Sequence, residues 1–101
     1  MVVISKLEIP ESDLNRFCKK HAVRRLALFG SVLRDDFSDE SDIDVLVEFE
    51  DNKTPGLDFF SIEEELSMIL GKKVDLNTEA FLSPHFREEV KKEARNIYVQ
   101  N

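Results

Sequence analysis

The run Leu26-Ala27-Leu28-Phe29 is apolar without a break. A strand that alternates can leave one face in water, but a continuous apolar strand needs cover on both faces. The chain must therefore build a sheet with something packed on each side. Its 101 residues form one domain, 1–101, with a single core. Val23 to Phe29 reads as the first strand, opened by Arg24 and Arg25. A second, 42–50, alternates. Ile43, Val45, Val47 and Phe49 face one way, and Asp42, Asp44, Leu46 and Glu48 the other.

The remaining segments supply the cover. After Pro10, Leu14, Phe17, Cys18 and His21 follow helical spacing, with Ser12 or Asp13 as cap. Cys18 reads as a small buried apolar group and His21 as the helix end. The loop 51–56 leads to a helix over 57–70, with Glu63, Glu64 and Glu65 pointing mostly to solvent and Gly71 as its stop. A short third strand covers 72–77. Ser83-Pro84 then opens a helix whose apolar residues Phe86, Val90, Ala94 and Ile97 carry it to Tyr98. His85 lies in its first turn. Val2-Val3-Ile4 frames the sheet edge or lies loose. Alternating helices and strands give an α/β domain, a small sheet packed with helices in two or three layers.

Composition narrows the function. Eight Phe and 42% hydrophobic residues suit a packed fold, and a net charge of −7 argues against broad electrostatic binding to DNA. One cysteine permits no disulfide framework. Met1 to Ile4 is too short for a secretory apolar region, and no run approaches the roughly 20 residues of a membrane span. The expectation is a soluble, cytoplasmic protein with no membrane partner.

Chemistry gathers between the two strands. Gly30 permits a sharp turn with close backbone approach to a ligand, and Ser31 can cap a short helix over 32–36 whose free N–H groups attract phosphate. Ten residues separate Ser31 from Asp42, and Asp44 follows on the same strand face. Two carboxylates held 4 Å apart repel by roughly 4 kcal/mol at an effective dielectric of 20. A divalent cation between them reverses that sign, and hard oxygen ligands beside a triphosphate favour Mg2+, with Mn2+ able to substitute. Arg34 either neutralises phosphate or pairs with Asp35 or Asp36. Asp75, between Val74 and Leu76, either joins the acidic face or stands exposed. A phosphate cradle beside metal-binding acids is the equipment of phosphoryl or nucleotidyl transfer.

Gly30-Ser31, ten residues, then Asp42-x-Asp44 followed by Val45-Leu46-Val47 resembles the signature of the DNA polymerase beta nucleotidyltransferase superfamily. The small size is similar to its minimal branch, the MNT antitoxins that accompany HEPN-domain toxins. The resemblance implies a nucleotidyltransferase-like mixed sheet and transfer of AMP from ATP. It implies Asp42, Asp44 and Asp75 as catalytic metal ligands, and Gly30, Ser31 and Arg34 as the triphosphate site. It also implies a tyrosine of a HEPN toxin as acceptor, in a type VII-like antitoxin; a homo- or hetero-oligomer is left open by the sequence. The alternative is the same fold neutralising its partner by binding alone; a small-molecule acceptor such as an aminoglycoside has no acceptor-binding domain to support it. Leu33 and Asp35 depart from the family's G-S-x-A-R-G, and Asp35 adds negative charge near the expected triphosphate.

Overall fold

The computed structural model describes residues 2–4, 7–34, 38 and 40–100. Among the described residues nine regular elements follow one another: β1 (Val2–Ile4), β2 (Leu7–Ile9), α1 (Glu11–Lys20), β3 (Val23–Phe29), β4 (Ile43–Phe49), α2 (Phe59–Leu70), β5 (Val74–Asn77), α3 (Pro84–Glu93) and β6 (Arg95–Val99). Short 3-10 turns occupy Gly30–Leu33 and Glu79–Phe81. Four strands form one sheet in the order β5-β4-β3-β6. β3 runs antiparallel to β4 and β6, while β4 and β5 are parallel, so the sheet is mixed. β1 and β2 make a separate antiparallel pair.

β3 is the central strand that its apolar run demanded, with Leu26, Ala27, Leu28 and Phe29 all buried. The alternation of β4 also holds. Ile43, Val45, Val47 and Phe49 join Leu26, Leu28, Val74 and Leu76 in the larger core, packed with Leu14, Phe17 and Cys18 of α1 and Ile62, Leu66 and Leu70 of α2. The opposite face carries a smaller cluster, Ala27, Phe29, Leu46, Leu82 and Val90, with Ala94 against it. α3 covers that face only in part. Burying a side chain of Leu or Val size contributes about 1.5–3 kcal/mol, so most of the stability lies on the side away from the acids.

Four expectations need correction. The last helix does not reach Tyr98: it stops at Glu93, and Arg95–Val99 is a strand pairing antiparallel with β3. Helical spacing of Ala94 and Ile97 concealed this. β-branched Ile97 and Val99 suit a strand, and the edge of β3 offered unpaired backbone groups that only a strand could satisfy. Of the helix expected over 32–36, the described part belongs to a 3-10 turn from Gly30 to Leu33 with no side-chain cap, and 35 and 36 lie outside the described residues. Pro10, not Ser12 or Asp13, takes the cap position of α1, again without a side-chain hydrogen bond.

The glutamate run on α2 is the fourth. Glu63 Oε2 accepts from the Leu76 N–H at 2.8 Å, and Glu65 lies 3.1 Å from Lys20 Nζ and 3.2 Å from His21 Nε2, leaving Glu64 as the exposed member. Other local readings stand. Gly71 ends α2 in a left-handed conformation, φ 74°, and Ser83 Oγ accepts from the Phe86 N–H at 3.4 Å ahead of Pro84. Cys18 is buried, which pushes its thiol up to about 12 and leaves it inert as a nucleophile. No helix among the described residues is long and apolar enough to cross a membrane.

Candidate active site

β3 delivers the chain into Gly30 at φ 77°, and fully buried Val32 pins the 3-10 turn that follows. The Arg34 N–H donates to the Ser31 carbonyl at 2.9 Å and closes that turn. Phe29 pairs with Asp44 across the antiparallel ladder, which brings the turn against the Asp44 side chain. A Cβ added at Gly30 would collide with Asp44 Oδ2 and lie 3.2 Å from its Cγ. Glycine is therefore required twice here, for the left-handed backbone and for the close approach.

Asp44 stands directly beside Asp75 in the parallel β4–β5 register. Register partners point to the same face, about 4.8 Å apart. Asp42 is exposed just ahead of β4, and Asp44 is half-buried. Burial pushes the Asp44 carboxyl above its ordinary range; the charges of Asp75 and Asp42 push the same way, Arg34 opposes, and Glu93 adds to the rise. Thus Asp42, Asp44 and Asp75 share one electrostatic neighbourhood.

α2 holds Asp75 in place through both of its neighbours. Ser67 Oγ accepts from the Val74 N–H at 2.9 Å, and Glu63 takes the Leu76 N–H. These two side chains occupy the outer edge of β5 where another strand would otherwise pair. The Ile43 N–H donates to the Lys73 carbonyl at 2.9 Å, between Asp42 and Asp44, and locks the starts of both strands together.

One residue was missed. Glu93, at the end of α3, reaches the turn: its Oε1 accepts from the Gly30 N–H at 3.1 Å, and its Oε2 lies 3.7 Å from Arg34 Nη2. The only trace in the sequence is a glutamate in the last turn of a helix, where cations are favoured, and reading the helix on to Tyr98 hid it. Gly30, Ser31, Arg34, Asp42, Asp44 and Asp75 all gather at this end of the sheet. Asp35 lies outside the described residues. His85 stays away, on exposed α3 with Nε2 3.4 Å from Glu89.

The described residues contain no group of three Asp, Glu, His or Cys side chains closed tightly enough to hold a metal ion. Mg2+ typically keeps several waters and takes one or two carboxylates plus substrate phosphates, so Asp44 and Asp75, partners in the β4–β5 register, are the residues that would hold it. Asp44 brings hard oxygen donors whose charge its acidic neighbours leave uncompensated. Carboxylate oxygens are the donors that a hard cation prefers.

The nucleotidyltransferase domain family matches residues 12–97. A Methanocaldococcus jannaschii protein named "Putative protein adenylyltransferase" is 38% identical over 77% of this chain and 83% of its own. The protein adenylyltransferase MntA of Thermococcus cleftensis is 35% identical over 80% and 79%. Among solved structures, a "putative minimal nucleotidyltransferase" superposes with a TM-score of 0.69 at 36% identity, covering 84% of this chain and 86% of that one. The complex of tri-AMPylated Shewanella oneidensis HEPN toxin with MNT antitoxin contributes a chain of the same fold, TM-score 0.63 at 20% identity, covering 89% and 70%.

Proposed function

The chain belongs to the nucleotidyltransferase domain family, and from that we propose that it is an antitoxin that transfers AMP from ATP to a tyrosine hydroxyl of a HEPN-domain toxin. The observation that carries the reading is the pairing of Asp44 with Asp75 on parallel strands, against a left-handed Gly30 that brings backbone N–H to the same point. The relatives named as protein adenylyltransferases and the AMPylated toxin complex of the same fold support AMP transfer and the HEPN partner.

Each residue then has a task. The Gly30 N–H and Ser31 hydroxyl donate to phosphate oxygens of the triphosphate, and the Arg34 guanidinium neutralises their charge. Asp42, Asp44 and Asp75 would hold Mg2+, or Mn2+ in its stead. When bound, that ion polarises the α-phosphoryl group and lowers the pKa of the acceptor hydroxyl. The acceptor oxygen bonds to the α-phosphorus as the bond to the bridging β-oxygen breaks, and pyrophosphate departs. Asp75 orients the hydroxyl and receives its proton.

The test is incubation with the partner toxin, labelled ATP and Mg2+, alongside Asp44→Asn. Label is expected on the toxin with the wild type and none with the variant. Neutralisation that persists in Asp44→Asn without label on the toxin would overturn the catalytic reading in favour of plain binding.

A further inference from the structure

The Glu93 carboxylate sits on the donors that the proposed reaction assigns to phosphate. One oxygen accepts from the Gly30 N–H at 3.1 Å; the other lies 3.7 Å from Arg34 Nη2. Its position is otherwise unfavourable. The C-terminal end of a helix repels anions, and α3 places Lys91 and Lys92 in the same turn, as the dipole prefers. Asp44 lies close enough for the two negative charges to feel one another. A carboxylate kept there against the helix dipole and a neighbouring acid is kept by the N–H and the guanidinium. An anion with two oxygens on those donors reproduces the contacts a phosphate group would make.

We infer that Glu93 is an internal occupant of the phosphate seat at Gly30 and Arg34, which a nucleoside triphosphate must displace to bind. This rests on the nucleotidyltransferase reading above and adds an affinity-setting residue to it. Displacement needs only side-chain rotation, because Glu93 is 40% exposed and its backbone ends a helix that Val90 and Ala94 anchor independently. The contact lowers triphosphate affinity and keeps Arg34 pointed at the seat while it is unfilled. Inorganic phosphate uses the same donors and competes with Glu93 more weakly, having fewer groups to anchor it.

Titration calorimetry with AMP-PNP and Mg2+ tests this on the full chain as wild type, Glu93→Ala and Glu93→Gln. Glu93→Ala is expected to bind about tenfold tighter, the low end for loss of a charge-assisted hydrogen bond at a partly exposed site. Glu93→Gln should fall between, since its amide oxygen still accepts from Gly30 while the attraction to Arg34 is gone. The Gly30 amide proton resonance should move in ligand-free Glu93→Ala and return towards its wild-type position with AMP-PNP. Equal or weaker binding by Glu93→Ala overturns the inference and leaves the nucleotidyltransferase reading intact. Failure of all three proteins to bind AMP-PNP overturns both.

Discussion

Replacing Gly30 with alanine separates two demands that the structure makes of one position. The backbone there has φ 77°, where an L-residue pays about 1–2 kcal/mol for the crowding of its Cβ. In a domain of about 100 residues that lowers Tm by roughly 4–16 °C. The new methyl would also collide with Asp44 Oδ2 and lie 3.2 Å from Cγ. A carboxylate at the end of a short side chain can turn away, so relief of the clash adds little to the stability cost. It moves the acid from its place beside Asp75, however, and a displacement of about 1 Å at a reacting centre can cost on the order of 100-fold in rate. Gly30→Ala should therefore be folded, moderately destabilised and almost inactive in toxin adenylylation. Thermal denaturation followed by circular dichroism reads the first effect, and transfer of labelled AMP reads the second. In an Asp44→Ala background the collision disappears, so Gly30→Ala should there cost only its backbone share. A Gly30→Ala protein as stable and as active as wild type would refute the reasoning, because neither the left-handed turn nor the contact with Asp44 could then matter.

Two further outcomes follow from charge. Asp44 has a raised carboxyl pKa, so the folded state holds its proton more tightly than the unfolded chain; stability falls as pH rises through the interval between the ordinary and raised values, and the loss persists above it. Asp44→Asn should consequently melt higher than wild type at neutral pH in EDTA, and Mg2+ should raise the wild-type Tm more than that of the variant, as calorimetric scans will show. Burial pushes the Glu65 carboxyl up, but hydrogen bonds from Lys20 and His21 outweigh it and hold the group below its usual range. Its contribution is present above the ordinary glutamate value of about 4.3 and lost as pH falls through the lowered one. Urea denaturation should show Glu65→Gln less stable at pH 7 by no more than about 1 kcal/mol, with the gap closing in acid.

Legibility in this chain followed the range of the interaction that decides each feature. β3 and β4 could be read from their side chains alone, because an unbroken apolar run and a strict alternation each allow one placement. Gly71 and Ser83-Pro84 were equally local: a left-handed stop and a capped start involve only the residues beside them. β6 was not, since Ala94 and Ile97 keep helical spacing and only the open edge of β3, some 70 residues earlier in the chain, decides for a strand. Glu63 reads as a solvated charge until β5 lies beside α2 with an unpaired N–H at Leu76.

The site divides along the same line. Gly30, Asp42 and Asp44 sit on adjoining strand ends, so spacing reveals them. Asp75 depends on the parallel register of β4 with β5, which no pattern within its own strand specifies. Glu93 depends on where α3 stops. One turn more of helix would have carried Arg95 and Asn96 onward with it and taken β6 from the sheet. Ending α3 at Glu93 is thus a single structural decision with two results: the free edge of β3 is paired, and a carboxylate comes to rest on the Gly30 N–H. The strand that completes the sheet and the carboxylate that rests on the Gly30 N–H are fixed by the same helix end, so substitutions that lengthen α3 act on fold and site together, whereas Glu93→Ala acts on the site alone.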